Sequence, residues 1–251
     1  VELMIAIAII GVLMSLLLAA VQATREMARK MSCANNVRNQ LLALQEYHAA
    51  QQRFPSGQHW NKSMSVEYGW AFYLLPQLEQ PALQAKFDQA KPWDDPANLA
   101  LADTSLKIFR CPSTPLKTPG KSDYCGVIGS FEANIEVSGL ENGVMTTTTA
   151  RNRNSVRLAD ITDGASNTVA IGESADRLVT TAGHWVSGNN RILHDDQHGG
   201  VAQGTDFFSF HTSGAHAGFA DGRVQFITEG TSEQIISALC TRACGDIIGS
   251  F

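Results

Sequence analysis

Twenty-two consecutive uncharged residues, LMIAIAIIGVLMSLLLAAVQAT from Leu3 to Thr24, constrain this chain more than any other feature. As one helix they would be roughly 33 Å long, about the thickness of a bilayer's hydrocarbon core. A cleaved secretory leader has a basic start, a shorter apolar run and a small-residue cleavage site. Here the run follows Val1-Glu2 and passes without a break into charged sequence, so it reads as a retained segment. The absence of an initiator Met is expected of a processed or incomplete start.

After Thr24, Met27, Met31, Ala34, Val37, Leu41, Leu44 and Tyr47 recur at spacings of three and four, with Arg25, Arg29, Lys30, Arg38 and Gln40 mostly elsewhere. The same helix is expected to continue with one apolar face and to stop near Arg53-Phe54-Pro55-Ser56-Gly57. That gives a rod over about residues 1–53, ~75 Å long. Glu2 is its informative residue, because a carboxylate at the mouth of an apolar helix costs several kcal/mol to bury without a cation. The residues alone favour an interfacial Glu2 helped by the helix dipole. The alternative is a pair with the α-amino group of a neighbouring copy.

Charge separates rod from head. Residues 1–53 carry five basic and three acidic side chains, leaving 14 basic and 21 acidic of the chain's 19 and 24 for the remainder. With a net charge of −5 and no local basic patch, nucleic-acid binding is excluded as a leading function. The 44% of apolar residues describes a foldable chain. Three segments follow: 1–24 as transmembrane or filament-core helix, 25–57 as its amphipathic continuation, and 58–251 as a globular head with no fixed-period repeat.

In the head, Tyr68–Lys86 reads as a helix interrupted at Pro76 and Pro81, and Pro96–Phe109 as a second short helix. Tyr124–Phe131, Gly143–Thr149, Ser155–Leu158 and Thr168–Glu173 are expected strands, with turns at Glu141-Asn142-Gly143 and Thr162-Asp163-Gly164. Phe207–Phe210, Ala217–Phe219 and Arg223–Ile227 suggest a meander with a two-residue Asp221-Gly222 turn, and a helix from Ser232 to about Arg242 follows. The fold class is therefore α+β, a long helix followed by a mostly antiparallel sheet.

VELM followed by IAIAIIGVLMSLLLAAVQATREMARKMSCANNVRNQ resembles the start of a type IV prepilin after its Gly-Phe-Thr-Leu processing site. With Cys33-Ala34-Asn35-Asn36, Tyr47-His48, Arg53-Phe54-Pro55, Leu74–Gln80, Phe109-Arg110-Cys111-Pro112-Ser113, Asp160–Thr168 and His211 to Asp221-Gly222, nearly the whole chain is similar to a planctomycete family of prepilin-like proteins ending in a His-x9-Asp-Gly motif. The resemblance implies a pilin ladle, with the sheet packed on the amphipathic half of the rod. It implies three mature residues before Val1, and a Glu2 that neutralises the methylated N-terminal amine of an adjacent subunit. Assembly contacts would come from Glu2, Leu3, Ile5, Ile9, Gly11, Leu13, Leu16 and Leu17. Prepilin peptidase and pilus assembly machinery are implied partners. Ala19 stands where the family usually has Pro, which removes the usual cause of a kink, although Gly11 and Ser15 leave room for bending.

Asp163, Gly164, Ser166, Asn167, Glu173, His211, Asp221 and Gly222 are read as structural members of this motif set. Asp221-Gly222 has hairpin chemistry, and His211 on a neighbouring strand is expected to bond to that turn and fix its register, ahead of acid/base or metal-ligand roles. Asp160, Asp163 and Glu173 carry oxygens of the kind Ca²⁺ takes, but not at EF-hand spacing, so Asx-type turns are the favoured reading and no cofactor is assigned. The His194–Gly200 loop is a weaker metal candidate. Five Cys on an extracytoplasmic head suggest one or two disulfides. Cys111–Cys125 would close a short Pro/Gly-rich loop; Cys33–Cys111 would instead clamp rod to head, and Cys33 and Cys111 both belong to the family pattern. Cys240 and Cys244, i and i+4, are awkwardly spaced for a bridge. Asn61-Lys62-Ser63 is a sequon and Thr146–Thr149 a hydroxyl run.

No Gly-x-Ser-x-Gly elbow, His-Glu-x-x-His helix or phosphate-binding glycine loop is present, so an enzyme is not expected. The expected function is a structural subunit held in the cytoplasmic membrane by residues 3–24, which polymerises into a cell-surface filament or periplasmic pseudopilus. A minor pseudopilin of a secretion system and a membrane-anchored solute-binding module are the competing readings.

Overall fold

The computed structural model describes residues 1–61, 66–115, 117–131, 142–149, 155–176, 183–194 and 206–245. Glu2–Gln51 form a single helix of 50 residues, α1, about 75 Å long. No proline interrupts it, and its two apolar-half hydroxyls are satisfied within the helix: Ser15 Oγ donates to the Val12 carbonyl and Thr24 Oγ1 to the Ala20 carbonyl, each at 2.8 Å. It stops where Gln52 turns left-handed, φ 57°, and returns its N–H to the His48 carbonyl.

The head covers a face of α1 marked by Cys33, Val37, Gln40, Leu41 and Leu44. Traced back at about 100° per residue, this stripe runs through Lys30 and Glu26, not through Met27 and Met31. The expected face is corrected accordingly, since Met27 and Met31 are 60% and 66% exposed. Asn36 Nδ2 donates to the Arg110 carbonyl (2.9 Å), Gln40 Nε2 to the Ile108 carbonyl (2.7 Å), and Gln45 Nε2 to the Ala220 carbonyl. Helix side chains thus meet carbonyls of the head's irregular segments that would otherwise be buried without donors.

Two sheets follow. The smaller has order β2-β1-β4, from β1 (Gln58–Asn61), β2 (Val66–Gly69) and β4 (Thr147–Thr149), with β1–β2 antiparallel and β1–β4 parallel. The larger has order β6-β3-β5-β7-β8, from β3 (Tyr124–Ser130), β5 (Val169–Glu173), β6 (Arg191–His194), β7 (Gly214–Phe219) and β8 (Val224–Thr228). It is antiparallel except for its β3–β6 edge. Helix α1 packs on β5, β7 and β8, while the C-terminal helix α5 (Glu233–Cys240) packs on β3, β5 and β6. Beside the rod, Trp70, Phe109 and Trp185 fill the main core, with the Phe109 and Trp185 rings stacked at 6.1 Å. Ile236 and Leu239 of α5 share the second core with Val127, Val169 and Phe207.

The helix expected over Tyr68–Lys86 is replaced by the end of β2 and two short helices, α2 (Trp70–Tyr73) and α3 (Pro81–Gln84). Glu79 sits at φ 60° between Pro76 and Pro81, and that geometry ends any continuous helix. The second expected helix is α4 (Pro96–Ala102), capped by Asp95 and followed by a 3-10 turn, Lys107–Phe109. Ser155–Leu158 is not a strand, because α1's exit uses its backbone: Phe54 N–H bonds to the Val156 carbonyl (2.8 Å) and Arg53 to the Ser155 carbonyl (2.7 Å). Phe207–Phe210 contributes only the isolated bridge between Ser174 and Phe208.

Candidate functional site

Every residue from Val1 to Thr24 is exposed, and the apolar half of α1 is long and apolar enough to cross a membrane. Glu2, Leu3, Ile5, Ile9, Gly11, Leu13, Leu16 and Leu17 therefore all project from the head, and a Cβ added at Gly11 would meet nothing. Among the described residues Glu2 has no ion-pair partner in its own chain. Each large apolar side chain of the segment, from Leu3 to Val21, forgoes about 1.5–3 kcal/mol while it faces water. Tens of kcal/mol therefore favour covering this half with lipid or with other copies.

Where the covered half of α1 enters the head, a polar cluster is buried beneath it. Cys33 on α1 is disulfide-bonded to Cys111, with Cα atoms 5.3 Å apart. Asp123, at the mouth of β3, holds Cys111 by accepting its backbone N–H at 2.7 Å, and is itself held by the fully buried Lys121 and by Arg110. Burial pushes the Asp123 carboxyl above its ordinary value, and the neighbouring cations offset this only in part.

His211 comes next. Its Nδ1 lies 2.7 Å from Glu26 Oε1 on the rod, and its Nε2 lies 3.3 Å from Cys111 Sγ and 3.6 Å from Glu173 Oε1. Glu26 is also held by Arg29 at 2.6 Å and Ser113 at 3.3 Å. Partial burial is the largest single influence on Glu26 and raises its pKa, but the hydrogen bonds from His211 and Arg29, with the charge of the Arg29 guanidinium, carry it below the ordinary value. Glu173, at the end of β5, is wholly buried. Its Oε2 accepts from the backbone N–H of His216 (3.1 Å) and faces His216 Nδ1 at 2.9 Å. The His216 ring packs edge-on against Phe226, over which the Lys30 ammonium sits 3.1 Å from the ring centre.

The motif residues thus divide between the two ends of the β5–β7 pair. At one end are Glu173 and His211. At the other, Asp221 N–H bonds to the Ala165 carbonyl (3.1 Å), Ala220 N–H to the Thr168 carbonyl (2.9 Å), and Arg223 to the Ser166 carbonyl (2.7 Å). The expected bond from His211 to the Asp221-Gly222 turn does not form, because strand β7 separates them. The turn itself is a three-residue loop, Ala220 to Gly222, rather than a two-residue one. Gly222 takes φ 95° and returns its N–H to the Phe219 carbonyl, while Asp221 Oδ1 accepts from Arg223 N–H.

Asp160, Asp163 and Glu173 do not share a site. Asp160 caps the 3-10 turn Leu158–Asp160 and pairs with Arg157 at 2.7 Å; that hydrogen bond draws its carboxyl down to about 2. Asp163 accepts from the backbone of Cys244 (2.7 Å) and Gly245 (2.9 Å), Gly164 takes φ 98°, and Asn167 Nδ2 donates to the Asp163 carbonyl, so this turn fastens the segment after α5. Of the cysteines, Cys33–Cys111 is the pair that forms. Cys125 is a thiol whose Sγ donates to Asn190 Oδ1 at 3.0 Å, and Cys240 is a buried thiol raised well above its usual pKa by burial. The sequon at Lys62-Ser63, Glu141, and the loop 195–200 lie outside the described residues.

Glu26 and His216 were not singled out from sequence. Glu26 was detectable as a carboxylate in helical register with Lys30, Cys33, Val37 and Leu41, the stripe that the head covers. Nothing in the local sequence of His216 distinguishes it; its role arises from pairing across the sheet.

A family model described as "Protein of unknown function (DUF1559)" matches residues 22–234. No curated protein and no solved structure matches.

Proposed function

We propose that this chain, which belongs to the DUF1559 family, is a pilin-like surface subunit that is held in the cytoplasmic membrane by the apolar half of α1 and polymerises through it. The supporting observation is one continuous helix whose outer half is apolar and wholly uncovered, while its inner half is clamped to the head by Cys33–Cys111. A flexible anchor would need no such rigidity, whereas packing identical rods side by side requires each to leave its head at a fixed angle. In this reading the chain assembles and catalyses nothing, and Glu2 meets the α-amino group of a neighbouring copy once the rods leave the lipid.

The test is Glu2→Ala in the full chain. Membrane insertion should persist, because the apolar segment is untouched, while incorporation into filaments, followed by electron microscopy of purified surface filaments with mass spectrometry of their subunits, should fall greatly. Normal filament yield would refute the proposed salt bridge, and absence of the chain from any filament would leave the anchor alone.

A further inference from the structure

Four ligand-bearing side chains meet at the rod–head junction: the sulfurs of Cys33 and Cys111, His211 Nε2 and a Glu173 oxygen all lie within 4.8 Å of one another, and all four residues are buried. Glu173 supplies the second observation. Its side chain is fully buried, and Oε1 has no hydrogen-bond partner, although Oε2 of the same carboxylate is held twice by His216. That orphaned oxygen is 3.6 Å from His211 Nε2. Because a carboxylate only accepts, Glu26 fixes the proton of His211 on Nδ1, and in the neutral ring Nε2 presents a lone pair toward Glu173 and Cys111. Two acceptors facing each other in a dry site need a positive centre between them, either a proton on Nε2, which makes the 3.6 Å contact an ion pair, or a metal cation that the two sulfurs can share.

We infer that the dithiol form of Cys33 and Cys111, with His211 and Glu173, is a site for a thiophilic divalent cation of the Zn²⁺ class, so that rod and head can be joined by a disulfide or by a metal. The donor set, two thiolates with one imidazole and one carboxylate, is of the kind zinc takes tetrahedrally. At bond lengths of about 2.0–2.3 Å a tetrahedral site has ligand–ligand edges of roughly 3.3–3.8 Å. The nitrogen-to-sulfur and nitrogen-to-oxygen separations of 3.3 and 3.6 Å lie in that range. The outer partners are already in place: Glu26 orients the imidazole and His216 orients the carboxylate.

Reaching this form requires a two-electron reductant of the dithiol or phosphine class. A dithiol passes two electrons and two protons to the S–S bond, leaving Cys33 and Cys111 as thiols and becoming a disulfide itself; a phosphine takes up a water oxygen as the oxide and leaves the same two thiols. The cation then displaces both thiol protons to solvent. The inference does not rest on the filament reading, since the site lies wholly within one chain.

The experiment uses the full chain in detergent micelles, reduced with a phosphine under inert gas, freed of metal and titrated with Co²⁺. Expected is one equivalent bound, with a sulfur-to-cobalt charge-transfer band and the intense visible bands of a tetrahedral site, displaced by Zn²⁺. Zn²⁺ should also raise the melting temperature of the reduced chain. The band should vanish in Cys111→Ser, lose apparent affinity in His211→Gln and Glu173→Gln by more than the roughly 10- to 100-fold that loss of an outer partner costs, and persist when Cys125, Cys240 and Cys244 are all replaced by Ala. Absence of the band, a reduced chain that Zn²⁺ does not stabilise, or a band that survives Cys111→Ser would overturn the inference. If Glu173→Gln fails to fold, Cys111→Ser and the triple Ala variant still decide it.

Discussion

Gly218, in the middle of the rod–head contact, allows a quantitative test of how closely α1 lies on the sheet. A Cβ there would stand 2.7 Å from Val37 Cγ1 and 2.8 and 3.1 Å from the two Leu41 methyls. Two effects of Gly218→Ala oppose each other. Removing a glycine from the unfolded chain stabilises by about 0.4–1 kcal/mol, whereas overpacking a filled core costs about 1–3 kcal/mol. Overpacking should win, because Val37 is β-branched and held in one helical rotamer, so it cannot turn aside as Leu41 can. The expected net is a loss of about 1–2 kcal/mol. Val37→Ala alone should cost about 1.5–3 kcal/mol, since Val37 is fully buried. It also makes room for the new methyl, so the double variant should be more stable than the sum of the single losses by about 1 kcal/mol. Urea unfolding of the full chain in micelles, followed by the fluorescence of buried Trp70 and Trp185, measures all three. Strict additivity, or a Gly218→Ala variant as stable as the parent, would refute the claimed contact.

Two further outcomes follow from local geometry. His184 is buried against Trp93, and burial lowers its pKa below 6.5 despite a 3.2 Å contact with Asp103. The unfolded chain then binds the proton first, so His184's contribution is complete above about pH 6.5 and is lost as pH falls through the folded value. In His184→Gln this part of the pH dependence of the melting temperature should disappear, and identical profiles would refute the assignment. Gly222→Ala places a methyl in open space at φ 95° and should cost about 1 kcal/mol of conformational strain, whereas Gly230→Ala, also in open space but without a positive φ, should be neutral or slightly stabilising, as paired thermal melts would register.

The elements legible in the sequence were those whose signal is local. Uncharged length gave the outer rod, Arg53-Phe54-Pro55 its end, and the runs at Tyr124, Val169 and Val224 their strands. Strands β1 and β6 were not legible because each is only four residues long: β6 joins the edge of its sheet solely by parallel pairing with Tyr124–Ser130 and so has no hairpin partner, while β1, Gln58–Asn61, pairs antiparallel with β2 but carries no alternating apolar run to mark it. The rod's buried face also departs from the one that Met27 and Met31 mark. Periodicity reports that apolar residues share a face; only the head decides which face it covers, and it covers the one where Glu26 and Lys30 find His211 and Phe226. The junction cluster was illegible as a unit because its members come from positions 26, 33, 111, 173, 211 and 216, brought together only by the antiparallel β5–β7 pairing and the disulfide.

That pairing also gives the His-x9-Asp-Gly spacing a physical meaning. The rod and the β7 segment run alongside each other and are fastened at both ends, Glu26 to His211 and Gln45 to the Ala220 carbonyl. Along α1 the distance from residue 26 to residue 45 is about 28 Å at helical rise. From residue 211 to residue 220 an extended chain reaches about 30 Å at most. Only Gly214–Phe219 of this stretch is strand and Ser213 turns at φ 69°, so the chain falls short of that maximum and the Glu26, His211 and Gln45 side chains close the gap; the motif thus spaces two clasps along one stretch of rod. Between them Gly218 admits the helix and His216 reaches Glu173, both from the same face of β7. A one-residue insertion between Gly214 and His216, with the Glu26–His211 end held in place, would turn that face over, sending Ala217 and Phe219 toward the rod and His216 away from Glu173. The spacing is therefore set by the register of one strand against one helix, with the Cys33–Cys111 disulfide holding the rod independently beside the Glu26 clasp.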